Sequence, residues 1–315
     1  MASFQAKFIH GLEARNIPYT FNINDPGNSV ILVIGGTRHL FSLWRAKQRG
    51  VRIVQRLDGL NWLHKVEKSP LKAAIRAEIN NRILATIRRY ITDRIIYQSE
   101  FSRDWWNRVF GERDLPDTVV YNGVDLEKYS PQGPEEPPND HFRLLLVEGN
   151  LTGANARGLE TAIRLTHALG ELESRPVELM VVGVVNDAVK AQSHATAPGA
   201  WINWRGVLPR EAIPAVDRSA HLLFSADLNA ACPNSVIEAL ACGLPVAAYD
   251  TGALSEIVKS GAGEVVPYGT DYWQLKDPLI PPLAEACSGI LHENSTYRQR
   301  ARARAEAAFS LDVMV

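Results

Sequence analysis

The stretch CPNSVIEALACGLPVAAYDTG, residues 232–252, has the pattern of a short helix followed by a buried strand. The helical pattern runs up to Gly243, and Pro245 blocks any continuation of the helix. The apolar run after Pro245 is typical of a strand that is covered on both faces of a parallel sheet. This stretch therefore predicts an α/β fold, and its apolar helix holds one carboxylate, Glu238.

The same alternation of strand and helix patterns continues in both directions along the chain. Runs rich in Val, Ile and Leu recur between segments with helical periodicity, and this order is typical of βα units. A long helical pattern over 69–90 has a serine and a proline at its start. We therefore predict parallel strands over 30–36, 51–59, 94–99, 142–149, 177–183, 201–206, 220–226, 244–250 and 263–267.

The length of 315 residues favours two domains, because one hydrophobic core rarely grows that large. The segment SPQGPEEPPND, residues 130–140, has four prolines and little apolar content, as linkers do. We predict a Rossmann-like N-domain over 1–130, a linker over 131–140 and a Rossmann-like C-domain over 141–315. The two domains are expected to face a cleft, because ligands of such sheets bind beyond the carboxyl ends of the strands.

Composition favours a soluble protein in the cytoplasm. Hydrophobic residues make up 46% and charged residues 22% of the chain, and no apolar run is long enough to span a bilayer. The three cysteines form no CxxC pair and have no histidine at ligand spacing. Neither a structural zinc site nor a disulfide framework is therefore expected.

The charge is distributed unevenly along the chain. The first 130 residues carry 20 Lys and Arg against 13 Asp and Glu, whereas the remainder carries 14 against 22. A basic N-domain suits phosphates or peripheral contact with an anionic membrane at the inner face, and a merely solvated surface fits the same counts. No nucleic-acid-binding motif accompanies the basic residues, so DNA and RNA are not expected as partners.

Two interpretations fit Glu238. Ser235 and Glu238 have the spacing of a capping box, in which the carboxylate bonds back to the amide at the start of the helix. A helix start behind a strand also presents the amides of Asn234, Ser235 and Val236, which suit a diphosphate. In that second interpretation Glu238 accepts hydrogen bonds from ribose hydroxyls.

The segment PNSVIEALACGLPVAAYDTGALSEIV, residues 233–258, resembles the donor-binding signature of retaining glycosyltransferases of family 4. These enzymes have the GT-B fold. VVYNGVDLEKYSP (119–131) is similar to the crossover segment of that family, and LLLVEGNLTGANARGLETAI (144–163) to its phosphate loop. The resemblance implies a nucleotide diphosphate sugar as donor, a hydroxyl acceptor and retained anomeric configuration. It implies neither a metal nor a tightly bound cofactor.

The resemblance also assigns roles to individual residues. The family has two glutamates separated by seven residues; the second falls on Glu238, which would bind ribose, and the first falls on Ala230. Arg157 would stabilise the departing diphosphate. The donor-binding residues implied are Gly149, Asn150, Arg157, Val207, Leu208, Asn234, Ser235, Val236 and Glu238.

The N-domain would hold the acceptor. The candidates lie at or beyond the ends of predicted strands and are Arg38, His39, Asp58 and His64, with Asp58 also a candidate catalytic carboxylate. Structural or solvated roles fit these residues as well. MASFQAKFIHGLEARNIPY, residues 1–19, is similar to the helix that follows the glycine-rich loop of the family, so the N-domain is expected to lack its first strand.

Three functions remain open from the sequence. The first is a retaining glycosyltransferase, in which Arg157, Glu238 and Asp58 serve the reaction. The second is a catalytically weak or inactive paralogue that binds a nucleotide sugar, which Ala230 and Asn150 motivate. The third alternative, ranked below the other two, is a sugar-nucleotide epimerase with the same type of sheet.

Overall fold

A computed structural model describes residues 2–67, 70–152, 156–196 and 199–315 of the chain. It divides into two compact units. The first comprises the residues up to Gly123 together with Leu311–Val315, and the second comprises Val124–Ser310. Each unit is built on its own parallel sheet, which confirms the predicted α/β fold with two Rossmann-like domains.

The sheet of the first unit has four parallel strands in the order β1-β2-β3-β4. Its core lies between the sheet and the helices and includes Val33, Leu43, Ile53 and Ile87, all buried. The elements are α1 (Ala2–Ala14), β1 (Val30–Ile34), α2 (Leu40–Gln48), β2 (Arg52–Leu57), α3 (Leu71–Tyr90), β3 (Arg94–Tyr97), α4 (Glu100–Phe110) and β4 (Asp117–Val119).

The sheet of the second unit has six parallel strands in the order β10-β9-β8-β5-β6-β7. Its strands are β5 (Phe142–Asn150), β6 (Val177–Val184), β7 (Trp201–Gly206), β8 (Leu222–Ser225), β9 (Val246–Tyr249) and β10 (Gly263–Val266). Its helices are α5 (Ala156–Leu172), α6 (Asp187–Thr196), α7 (Ile213–Arg218), α8 (Asn234–Ala241), α9 (Leu254–Ile257), α10 (Ile280–His292) and α11 (Asn294–Ala308).

This strand order reverses direction between β5 and β8. Connections from β5 run outward to β6 and β7, and connections from β8 run the other way to β9 and β10. The two strands pair in parallel with Leu144 opposite Leu222 and Leu145 opposite Leu223. A crevice opens at such a switch point beyond the carboxyl ends of the strands, and it is where doubly wound sheets bind ligands.

The end of α8 shows why residues 232–252 fold as the sequence predicts. Gly243 has a φ of +69°, and its amide donates to the Leu240 carbonyl at 3.0 Å. The amide of Leu244 reaches the Ala239 carbonyl at 2.9 Å. These two bonds form a Schellman motif, in which a left-handed glycine turns the chain out of the helix. The chain then enters β9, whose side chains are buried.

The boundary between the units differs from the expected linker at 131–140. It lies at Gly123 and Val124, and residues 131–140 belong to the second unit. Arg218 holds them there, because its Nη1 donates to the Ser130 carbonyl at 3.2 Å and its Nη2 lies 3.0 Å from Glu135 Oε2. The prolines therefore indicate a lack of regular structure in this segment but not detachment from the domain.

After the second unit the chain returns to the first. Helix α12 (Leu311–Met314) packs there, with the Met314 sulfur 3.0 Å from the Gly123 amide. The two crossing segments meet within the second unit, where the Val124 amide donates to the Phe309 carbonyl at 2.7 Å.

Candidate functional site

The first turn of α8 lies at the carboxyl edge of the second sheet. The helix begins at Asn234 with Pro233 as its N-cap, and no side chain caps it. The first helical hydrogen bond runs from the Ile237 amide to the Pro233 carbonyl at 3.4 Å. The amides of residues 234–236 precede that bond, so they have no partner within the helix. Such amides carry the positive end of the helix dipole and suit an anion.

The capping-box interpretation of Glu238 is wrong in this structure. Ser235 is the second residue of the helix rather than its N-cap, so the two side chains are not at capping positions. Glu238 is 7% exposed, and its Oε1 accepts a hydrogen bond from Arg210 Nη2 at 3.1 Å. The carboxylate is therefore held by a cation from the short 3-10 helix Arg210–Ala212.

A buried acid lies next to this ion pair. Asp217, at the end of α7, is 1% exposed, and its Oδ2 has no partner among the described residues. Burial, and then the negative charge of Glu238, raise the pKa of Asp217 well above its ordinary value. The shift favours the neutral form of Asp217, so negative charge is concentrated on Glu238 beside Arg210.

A second pair of carboxyls lies where β5 and β8 end, at the switch point. Glu148 is near the end of β5, and Asp227 follows β8. Burial and the neighbouring Asp227 raise the pKa of Glu148, and burial raises the pKa of Asp227. Shared protonation lowers the negative charge at this edge, where a diphosphate would otherwise be repelled.

The loop after β8 holds a strained and buried asparagine. Asn229 has a φ of +58° and is 4% exposed. Neither its Oδ1 nor its Nδ2 has a hydrogen-bond partner within the described part of the chain. Gly252 fixes the loop, because a Cβ at that position would lie 2.6 Å from the Ala230 nitrogen and oxygen. A rigid loop with an unpaired buried amide is a common property of ligand sites.

Arg157 lies in the first turn of α5, at the same edge. Its Nη1 donates to the Leu275 carbonyl at 3.2 Å. The neighbouring Gly158 lets α5 approach the end of β8, because a Cβ there would lie 2.6 Å from the Ala226 Cβ. The structure thus brings Arg157 to the strand that precedes Asp227. Residues 153–155 of the expected phosphate loop lie outside the described residues.

The remaining donor-side candidates also follow strands of the second sheet. Gly149 and Asn150 end β5, and the Asn150 Oδ1 accepts from the amide and hydroxyl of Thr152 at 3.1 and 2.7 Å. Asn150 therefore shapes the turn. Val207 and Leu208 follow β7 through Gly206, whose φ is +66°, and Val207 is exposed.

In the first unit, two of the expected segments meet at one sheet edge. Arg38 and His39 follow β1, Asp58 follows β2, and the two strands are parallel neighbours. The Asp58 carbonyl accepts bonds from Ser102 and Trp106 at 3.0 and 2.7 Å, so the backbone there is fixed.

Arg38 also lines a cavity of about 690 Å³ between the loop after β1 and helix α3. His64 is placed differently. Its Nε2 lies 2.8 Å from Glu78 Oε1 on α3, where Lys65 also pairs with that carboxylate. These bonds tie the 3-10 helix Leu63–Lys65 to α3, so His64 has a structural partner.

Sequence reasoning missed several residues of the site. Arg210 and Asp217 come from segments without a recognisable motif, and nothing local links them to Glu238. Glu148 lies inside a predicted strand, where a carboxylate before Gly149 was a usable signal.

Among the described residues, no cluster of three or more His, Cys, Asp or Glu could hold a metal ion. No helix in the described ranges is long and apolar enough to cross a membrane.

Sequence comparison places the second unit in a known family. The family model described as glycosyl transferases group 1 matches residues 135–297, which is more than half of the chain. The matched range contains the first turn of α8, Arg157, Arg210 and the Glu148–Asp227 pair. No curated protein matches the chain.

Solved structures share the fold of both units at low sequence identity. A sucrose-phosphate synthase from Thermosynechococcus elongatus has 17% identity and a TM-score of 0.67, over 98% of this chain and 75% of its own. A glycosyltransferase from Rickettsia africae has 14% identity and a TM-score of 0.64, over 99% and 78%. The Anabaena protein HepE, in complex with UDP-glucose, has 17% identity and a TM-score of 0.62, over 90% and 76%.

Proposed function

Because the chain belongs to the glycosyl transferases group 1 family, we propose that this glycosyltransferase moves a sugar from a nucleotide diphosphate donor to a hydroxyl acceptor. The proposal includes retention of the anomeric configuration, as in the family 4 enzymes that its motifs resemble. The observation that carries it is the uncapped start of α8 at the carboxyl edge of a doubly wound sheet. A diphosphate is the anion that such a site and such a family require.

The main task of the donor site is to stabilise the departing diphosphate. As the bond between the sugar C1 and the phosphate oxygen breaks, negative charge grows on that oxygen. The amides of residues 234–236 and the guanidinium of Arg157 stabilise this charge. The acceptor oxygen bonds to C1 on the same face of the sugar, and its proton passes to the departing phosphate oxygen. This route requires no strong base from the protein.

Glu238 binds the ribose, and Arg210 positions it. A carboxylate held at 3.1 Å by a guanidinium loses rotamer freedom before the ligand arrives, which lowers the entropy cost of binding. Because the raised pKa of Asp217 favours its neutral form, Glu238 has no second negative charge beside it. As a charged acceptor, Glu238 makes stronger hydrogen bonds to hydroxyl groups than a neutral one would. Val207 and Leu208 cover the nucleotide base.

The residues that contact the donor sugar differ from those of the family motif. Ala230 has no carboxylate to bind sugar hydroxyls. The unpaired amide of Asn229, the neutral carboxyl favoured by the raised pKa of Glu148 and the neighbouring Asp227 supply donors and acceptors at the end of the neighbouring strands instead.

The first unit binds the acceptor. Asp58 faces the acceptor hydroxyl, and the cavity of about 690 Å³ with Arg38 at its rim holds the rest of the acceptor. His39, at the N-cap position of α2 without a capping bond, is a further contact. The bond between His64 and Glu78 positions α3 along the cavity.

A face of α3 suits peripheral contact with an anionic bilayer. Leu71, Ile75 and Ile79 are at least half exposed on one side of the helix, and Lys72 and Arg76 flank them. All of these except Leu71 also line the cavity assigned to the acceptor, so the bilayer and the acceptor would meet the same face. Apolar side chains among cations match the chemistry of a negatively charged membrane surface. Sedimentation with vesicles tests this: binding to anionic but not neutral vesicles is expected, and Ile75→Ser should weaken it.

Nucleotide release tests the proposed activity. The full chain is incubated with a panel of nucleotide diphosphate sugars, beginning with UDP-glucose, with and without hydroxyl acceptors. Acceptor-dependent release of the nucleotide and a product of retained configuration are expected. Binding without turnover would favour the inactive paralogue, and conversion of the donor into an epimer without any acceptor would favour the epimerase.

A further inference from the structure

A separate polar pocket lies at the amino-terminal edge of the second sheet. It has a volume of about 400 Å³, and its lining includes Arg175, Arg218, His221, Asn294 and Arg298. Arg175 precedes β6 and His221 precedes β8. The candidate donor site follows the carboxyl ends of the same strands, so the pocket is at the opposite edge of the sheet.

Three guanidinium groups converge on this pocket. Arg218 is 9% exposed, pairs with Glu135, and its Nε has no partner among the described residues. Arg298 donates to the Ala220 carbonyl at 2.9 Å, and Arg175 stacks on Phe142. Within the described ranges neither Arg298 nor Arg175 has a carboxylate partner.

His221 adds a neutral donor. It is 8% exposed, and its Nδ1 accepts the Arg143 amide at 3.0 Å, which requires Nδ1 to be unprotonated. The proton of the ring is therefore on Nε2. Burial, followed by the nearby charges of Arg298, His141, Arg143 and Arg175, lowers the pKa of His221 to about 4, so this tautomer persists at neutral pH.

The pocket thus holds more positive than negative charge. Glu135 offsets Arg218, and Glu136 is the other acidic residue in the lining. Burial lowers the pKa of Arg298, which indicates that the surroundings do not favour its charge. Arg298 is partly buried, and a partly desolvated cation without a counter-charge carries a cost that a bound anion would lower.

Gly133 keeps the Arg218 guanidinium in this position. A Cβ at Gly133 would lie 2.3 Å from Arg218 Cζ and Nε, so the glycine lets the 131–140 segment approach the guanidinium closely. This segment forms one wall of the pocket. A guanidinium held by the Ser130 carbonyl, by Glu135 and by the close approach of Gly133 is preorganised for an anion with several oxygens.

We propose that this pocket binds a phosphate group, carried by a small phosphorylated metabolite or by free phosphate. A tetrahedral dianion has oxygens for each of the donors in the pocket. These donors are two guanidinium groups without carboxylate partners, the third cation at Arg218 and the Nε2 of His221. The volume admits a group of the size of a sugar phosphate. The pocket shares no residue with the candidate donor site, so phosphate binding there can be tested separately from the proposed transferase activity.

Titration calorimetry of the full chain with inorganic phosphate and with glucose 6-phosphate tests this proposal. We expect one molecule bound per chain in the pocket, with affinity at least tenfold weaker in Arg298→Gln. Arg175→Gln should also weaken binding, and that side chain is exposed, so folding is not at risk. Arg300→Gln is the matched control, because it is on the same helix as Arg298 but does not line the pocket.

The two ligands distinguish the sources. Tighter binding of glucose 6-phosphate assigns a phosphorylated metabolite, and tighter binding of inorganic phosphate assigns the free ion. No binding of either ligand, or equal affinities in the wild type, Arg298→Gln and Arg175→Gln, would overturn the proposal. Neither arginine belongs to the candidate donor site, so these outcomes hold whether or not the chain turns over a nucleotide sugar.

Discussion

Arg210 Nη2 lies 3.1 Å from Glu238 Oε1, and this bond joins the short helix after β7 to the helix after β8. The carboxylate that local pattern assigns to helix capping is therefore fixed from outside its own helix. Glu238 is nearly buried, whereas the Arg210 side chain is 44% exposed. A ligand at this site meets a carboxylate whose orientation is set in advance.

Replacing Glu238 with Gln should weaken UDP binding by about tenfold, because a charged acceptor for ribose hydroxyls becomes a neutral one. The free energy of unfolding should fall by no more than about 1 kcal/mol, since the Arg210 partner is partly solvated. Calorimetry and urea unfolding measure the two effects. Unchanged UDP affinity together with a clear loss of stability would show that the carboxylate is only structural.

Gly252→Ala should destabilise the second unit and impair donor binding. Its φ of +62° disfavours any side chain by about 1–2 kcal/mol, and the new Cβ would collide with the Ala230 backbone. Gly170→Ala is the control: Gly170 is an exposed helical glycine with nothing within 4 Å of the added atom, and the change should stabilise α5 by up to about 1 kcal/mol. Equal effects of the two substitutions on urea midpoints would contradict this account.

The stability of the wild-type chain should fall between pH 5 and pH 8 more steeply than that of Glu148→Gln. The pKa of Glu148 is raised in the folded state, by burial and then by Asp227. Above the ordinary pKa of about 4.3, the unfolded chain releases this proton while the folded chain retains it, so rising pH favours unfolding. Urea unfolding at several pH values measures the two slopes, and identical slopes would refute the raised pKa.

Arg157→Gln should lower kcat/KM for a nucleotide diphosphate sugar by roughly 100-fold, because a preorganised cation at the departing phosphate is lost. Arg157→Lys should recover part of this loss, since a lysine keeps the charge but not the planar fork. Arg164→Gln, on the same helix and paired with Asp277 at 3.6 Å, is the control. If the control variant loses as much activity as Arg157→Gln, the effect comes from α5 rather than from the cation.

Local pattern was sufficient for the elements of the fold. The strand predicted over 244–250 is β9, and the helix predicted to stop at Gly243 ends through a Schellman motif there. Such features depend on residues that are close in sequence, which is why the predicted strands and helices agree with the structure.

The candidate site could be predicted less well from the sequence, because its key contacts join segments that are distant along the chain. Glu238 depends on Arg210, 28 residues earlier, and on Asp217 from α7. Composition predicts a linker over the proline-rich stretch 131–140, because it does not reveal that Arg218, more than 80 residues later, binds this stretch. Sequence reasoning finds what a helix or turn needs locally but not which partner tertiary packing supplies.

The return of residues 311–315 to the first unit has a consequence for synthesis on the ribosome. The whole of the second unit is inserted between Gly123 and Leu311, so it can complete its sheet while the first unit still lacks α12. Until then Gly123 lacks its contact with Met314, and Gly11 lacks Val315 beside it. In nascent chains that stop before Leu311, protease should therefore cleave the first unit more readily than it does in the full chain.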